Sequence, residues 1–84
     1  MQETQVDVLA AFDTGASYPR PIRFKVYENG IKKTVDVSEI LNVEDLGAGG
    51  MMRYEYTCRS QGARGPIEYR LKYYYMKSNW TLER

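Results

Sequence analysis

Cations and tyrosines alternate along two neighbouring stretches of this chain. In Met52–Arg59 and Ile67–Met76, residues Arg53, Arg70, Lys72 and Tyr74 fall on the polar parity, with Arg64 in the segment between. Lysine and arginine neutralise phosphates, and an aromatic face stacks on an unpaired base, so this set has the chemistry of a single-stranded nucleic-acid binder. The opposing reading is a mixed-charge solvent face or a face that contacts a protein, and Glu55 and Glu68 among the bases support it. Tyr74 and Met76 also interrupt the polar parity at its end, which suits a protein partner or a homodimer contact.

Other chemistry finds little material. The chain has no histidine, which removes the commonest general base and the usual partner of a nucleophilic serine or cysteine. Cys58 falls on the apolar parity, with nothing beside it to lower its pKa, and reads as a core thiol. Gly47-Ala48-Gly49-Gly50 lacks the Lys-Ser/Thr of a phosphate-cradling loop, since Met51 and Met52 follow it. Glu44 and Asp45 are adjacent, and neighbours on a strand point to opposite faces, so they make no acid/base pair. No metal ligands stand at recognisable spacing. The expectation is therefore no catalytic residue, no metal, no cofactor and no enzyme.

At 84 residues the chain has room for one domain, 1–84, with a thin core. Hydrophobic residues at 43% and charged residues at 27% are globular values, so disorder is excluded as a global description. A net charge of +1 gives no overall field for nucleic acid or an anionic membrane, although residues 1–52 carry −3 and residues 53–84 carry +4. With a single cysteine there is no internal disulfide, which fits a reducing, cytoplasmic setting. The start lacks the basic and apolar regions of an export signal, and no apolar run reaches membrane-spanning length, so no membrane association is expected.

Positioning those side chains falls to strands. Val6, Val8, Ala10 and Phe12 alternate, predicting a strand from Thr4 to Phe12. Asp13–Ser17 is turn chemistry, and Pro19 and Pro21 delay the next strand to Ile22. Asn29-Gly30 predicts a tight hairpin between that strand and Ile31–Val37, because both central residues of a type I′ turn need positive φ. Ser38–Leu41 fits at most one helical turn, with Ser38 as its cap, before a short strand ends at the glycine cluster. Strands from Met51 to Arg59 and from Ile67 to Met76 follow, and Trp80–Leu82 makes a last one, with Trp80 as a core plug.

The two long strands form a hairpin whose apolar wall is Tyr54, Tyr56, Cys58, Tyr69, Leu71 and Tyr73. One register puts Arg53 opposite Lys72, a like-charge contact. The other sets Arg59 opposite Glu68, Glu55 opposite Lys72 and Arg53 opposite Tyr74, and it is the one predicted. Six or seven short antiparallel strands joined by Gly, Asn and Pro turns describe an all-β fold, a small barrel-like or strongly curled sheet.

The spacing Pro21-x-x-Phe24, Val35, Ile40-Leu41, Gly49-Gly50, Tyr56-x-Cys58-Arg59 and Trp80-x-Leu82 resembles that of short, single-domain, β-rich bacterial proteins of unknown function. That resemblance implies a fold and no site residue. The sequence thus leads to a small non-enzymatic binding or protein-interaction module, with single-stranded nucleic-acid binding as the alternative.

Overall fold

The computed structural model describes residues 2–47 and 52–83, so Gly49-Gly50 and the expected strand start at Met51 lie outside the described residues. Eight strands follow one another: β1 (Glu3–Gln5), β2 (Asp7–Ala11), β3 (Arg20–Glu28), β4 (Ile31–Asp36), β5 (Glu39–Leu46), β6 (Arg53–Gly62), β7 (Gly65–Tyr74) and β8 (Asn79–Glu83). They form two antiparallel sheets, one of five strands in the order β1-β8-β7-β6-β5 and one of three in the order β2-β3-β4. Neither sheet closes into a barrel, and no helix occurs among the described residues. None is therefore long and apolar enough to cross a membrane.

The strand count exceeds six or seven because the expected strand from Thr4 to Phe12 is two. Val6 is buried at the break and donates its amide to the Trp80 carbonyl at 3.1 Å. Before it, β1 pairs with β8; after it, β2 pairs with β3 in the other sheet. The chain crosses back at Val37 and Ser38. The Val37 amide donates to the Ile22 carbonyl and the Ser38 amide to the Arg59 carbonyl, each at 2.9 Å, so successive residues serve different sheets.

That crossing explains why no helical turn forms over 38–41. The Ser38 hydroxyl, expected to cap a helix, donates instead to the Arg59 carbonyl at 2.8 Å, and Glu39 enters β5 directly. Leu41 is then the extra residue of a bulge, since Ile40 pairs with Cys58 and Asn42 with Thr57. The bulge keeps both Ile40 and Val43 packed on the core. From Val43 onward the odd residues face inward, and Asp45 is one of them.

The predicted turn and register hold where local chemistry is strongest. Asn29 and Gly30 both take positive φ, 51° and 77°, between β3 and β4. In the β6–β7 ladder Arg59 lies opposite Glu68 and Glu55 opposite Lys72. The ladder runs on to Gly62 opposite Gly65, where a Cβ on Gly62 would meet the Gly65 carbonyl oxygen at 2.9 Å. Both strands are displaced relative to expectation. β6 extends to Gly62 and β7 stops at Tyr74, because Tyr75–Ser78 form a turn closed by the Lys77 amide on the Tyr74 carbonyl at 3.1 Å.

The core lies between the sheets. Phe24, Val26 and Val35 from the smaller sheet meet Tyr56, Cys58, Leu71, Tyr73, Trp80 and Leu82 from the larger. Phe24 packs edge-on against Tyr69 across the gap, with ring centroids 5.2 Å apart. Trp80 fills the centre as expected, stacked on Tyr73 at 4.7 Å and tilted against Tyr56 at 5.4 Å.

Candidate functional site

Four of the five residues singled out for a nucleic-acid or partner surface, Arg53, Arg70, Lys72 and Tyr74, come together on the outer face of the larger sheet. Arg64 does not join them; it is exposed in the β6–β7 turn at the hairpin's other end. The assembled four are held by acids. Lys72 Nζ lies 3.1 Å from Glu83 Oε2, 3.3 Å from Glu3 Oε2 and 3.8 Å from Glu55 Oε2, with its side chain only 12% exposed. Arg53 Nε donates to Glu55 Oε2 at 2.7 Å, and Arg70 Nη1 stands 3.8 Å from Glu83 Oε1. The Tyr74 and Thr81 hydroxyls both donate to Glu3 Oε1 at 2.7 Å.

This is one network across four strands, and it acts on the charges of Glu3 and Lys72 at its centre. The Thr81 hydroxyl, more than the Tyr74 and Lys72 bonds, holds the Glu3 carboxyl below its ordinary value of 4.5 against the opposing effect of burial. Burial works to lower the Lys72 ammonium, but the bonds to Glu83 and Glu3 outweigh it and leave it raised. Arg59 lies opposite Glu68 as expected, yet its ion pair is with Glu39 on β5 at 3.3 Å. The cross-strand register was legible; the choice of ionic partner depended on a third strand.

At one end of the inner face lies a feature that sequence reasoning missed. The loop between β2 and β3 folds over the larger sheet, clasped by Arg20 Nε and Nη2 on the Asp13 carboxylate at 2.9 and 3.2 Å. Tyrosine hydroxyls from β6 pin it from below. Tyr56 donates to the Pro19 carbonyl at 2.6 Å and Tyr54 to the Ser17 carbonyl at 3.0 Å. Tyr18 then packs against both rings, 5.7 Å from Tyr54 and 6.0 Å from Tyr56.

Two depressions flank this loop. On one side Phe12, Tyr18, Tyr54, Tyr73 and Tyr75 line a cleft of about 250 Å³, in which Tyr75 lies 5.0 Å from Tyr54, centroid to centroid. On the other, Tyr18 and Arg20 face Ile40–Val43 of β5 across a groove of about 650 Å³. Phe12 stays 73% exposed at the cleft's lip. The sequence did carry a signal at Tyr18, an aromatic among turn residues with no strand face to fill, whereas Phe12 read as the last residue of a strand that in fact ends at Ala11. Tyr54, Tyr73 and Tyr75 were legible only as core wall, since they are on the inner parity and their end of the core is left open.

The hydroxyl pins supply a direct test. Tyr56 is 1% exposed, and burial, ahead of its tyrosine and cysteine neighbours, pushes its pKa far above the ordinary value of 10. It is thus a neutral donor throughout the accessible pH range. Tyr56→Phe strands the buried Pro19 carbonyl and is expected to cost about 1–2 kcal/mol. Tyr54→Phe, whose bond is exposed, should stay within about 0.5 kcal/mol in the same urea titration. Equal losses would remove the loop-anchoring role from Tyr56.

For covalent chemistry the described residues offer little. Burial pushes the Cys58 thiol up to about 12, so at neutral pH it is not a nucleophile. Among the described residues no group of three or more His, Cys, Asp or Glu side chains could hold a metal ion. Set against models of protein families, curated proteins and solved structures, the chain has no match.

Proposed function

We propose that this protein is a small non-enzymatic binding module, acting in the cytoplasm, that contacts a partner protein through the tyrosine cleft beside the β2–β3 loop. The observation that carries this reading is a cleft whose floor is fixed while its lip is bare. Tyr54 and Tyr56 hold the loop through backbone carbonyls, yet Phe12 stays exposed above the tyrosine rings. A preformed concave site lined by aromatic side chains with few polar groups is the usual form of a recognition pocket. The neutral, buried Cys58 thiol supports leaving catalysis out.

The corners at Val6 and at Val37–Ser38 support a further structural reading. β1 with β2, and β4 with β5, act as two bent strands, so six lengths of chain wrap a single barrel-like domain with the cleft at one mouth. Single-stranded nucleic acid on the outer face is the competing functional reading, and the ionic network gives it less support. Phosphates would have to displace carboxylates already within 4 Å of Lys72, whereas Arg64 and Arg70 remain exposed.

One set of spectra separates these readings. In an amide-resolved NMR screen against small fragments and short oligonucleotides at two salt concentrations, shifts should cluster at Phe12, Tyr18, Tyr54 and Tyr75 with fragments. Salt-dependent oligonucleotide shifts at Arg64, Arg70 and Lys72, with a silent cleft, would move the function to the outer face. After transfer to D2O, the Val6, Val37 and Ser38 amides should exchange as slowly as mid-strand amides; fast exchange there would break the barrel-like reading.

A further inference from the structure

A carboxylate with no counter-charge among the described residues stands beside Tyr54 and Tyr75, two of the tyrosines that line the cleft. Because of the bulge at Leu41, Asp45 follows Val43 onto the inner face and lies directly across the ladder from Tyr54, which in turn lies across from Tyr73. Tyr75 packs on Tyr54 from the turn after β7. A Cβ placed on Gly47 would meet the Tyr75 hydroxyl at 2.9 Å and Asp45 Oδ1 at 3.1 Å, so the carboxylate and that hydroxyl converge on one spot. Burial first, and then the field of Asp45, raises the Tyr54 hydroxyl above its ordinary pKa of 10, as a nearby negative charge must.

Of the other acids near this end, Glu44 is on the opposite face of β5 and two are paired. Asp13 is clasped by Arg20, and Glu55 is bonded by Arg53 on the outer face. The Asp45 carboxylate makes no ion pair or side-chain hydrogen bond with any described residue. A carboxylate beside several tyrosine faces is the arrangement that attracts an organic cation carrying an apolar stem. Three further considerations narrow the cation. The cleft, at about 250 Å³, has room for one side chain and not for a folded element. Tyrosine planes accept a flat guanidinium by stacking, and a carboxylate accepts its fork of N–H donors. Residues 1–52, which supply Asp45 and the covering loop, carry a net charge of −3.

Building on the cleft as the contact surface, we infer that it takes an arginine side chain from an exposed segment of a partner protein, its guanidinium stacked on the Tyr54 and Tyr75 rings and paired with Asp45. Tyr18 and Phe12 then cover the aliphatic stem. This assigns a recognition role to Asp45, whose inward placement serves no packing purpose in the free protein.

Three capped tripeptides, Gly-Arg-Gly, Gly-Lys-Gly and Gly-Gln-Gly, titrated into the ¹⁵N-labelled protein test the assignment. The arginine peptide should shift Asp45, Tyr54 and Tyr75 amides and bind more tightly than the other two. Asp45→Asn, checked for an unchanged fold by its own spectrum, should weaken arginine binding by about three- to tenfold and leave glutamine binding as it was. Equal affinity for the lysine peptide would overturn the stacked-guanidinium assignment. Equal affinity for the glutamine peptide, with shifts still at the cleft, would overturn cation recognition while sparing the cleft as a contact surface. If no tripeptide moves the cleft resonances the arginine assignment falls; the cleft itself falls only if the fragment screen is silent there too.

Discussion

Phe24→Ala is expected to cost about 3–5 kcal/mol, the range for emptying a buried phenylalanine site. Phe24 is 1% exposed, and its ring closes the gap between the sheets by meeting Tyr69 edge-on at 5.2 Å. The cost divides into lost transfer free energy and a residual cavity, and the cavity is poorly repaired here because its walls belong to two sheets that cannot slide together while the chain is stitched at Val6 and at Val37–Ser38. A domain of this length holds only about 4–13 kcal/mol in total. The variant should therefore melt far earlier, with exposed apolar surface detectable by dye binding, and urea unfolding measures the difference. A loss under about 1.5 kcal/mol would mean that the sheets collapse onto one another, and that the inter-sheet seam is softer than its packing suggests.

Lys72→Met is the second large effect, and its size depends on pH. Removing the ammonium leaves Glu3, Glu55 and Glu83 gathered around an apolar side chain. Breaking a fully buried pair costs about 3–5 kcal/mol, and partial exposure of Glu3 and Glu55 reduces this to about 2–3 kcal/mol at neutral pH. In the native protein the Glu3 carboxyl is held below 4.5, so its contribution is fully present above pH 4.5 and is lost as the pH falls through the lowered value. In the variant the same carboxyls repel one another and protonate more readily, so acidification relieves them. The deficit between the two proteins should thus shrink from pH 7 to pH 4 when midpoints are compared. A deficit that stays constant would assign the loss to packing of the lysine stem and not to charge. Arg23→Gln, which breaks the exposed pair with Asp36, should change stability by less than about 0.5 kcal/mol in either direction.

These two residues also mark where the sequence was legible. Alternation together with charge pairing placed Lys72 opposite Glu55, and turn chemistry placed the hairpin at Asn29-Gly30, because both depend on neighbours along the chain or across one ladder. The corners were illegible for the opposite reason. Nothing local distinguishes Val6 from Val8 as the residue at which a strand leaves one sheet for another; the Trp80 carbonyl that receives its amide is far along the chain. Ser38 likewise carries the signature of a helix cap, and only the nearby Arg59 carbonyl redirects it. The cleft depends on both failures at once. Its loop is held by Tyr54 and Tyr56 across 37 residues, and Asp45 comes to lie across from Tyr54 through a bulge that no periodicity announces.

The clasp of Glu3 on Thr81 spans 78 residues, which bears on the order of folding. The β6–β7 and β3–β4 hairpins close short loops, whereas pairing β1 with β8 must overcome the entropy of bringing distant segments together. The hairpins are therefore the early events, and the N-terminal strand docks onto a sheet already formed. The covering loop, tied across 37 residues, belongs to the same late stage. Contacts made after the rate-limiting step govern how fast a protein comes apart and not how fast it assembles. Tyr56→Phe should accordingly quicken unfolding and leave the folding rate nearly unchanged, so the tyrosine pins set the lifetime of the closed cleft.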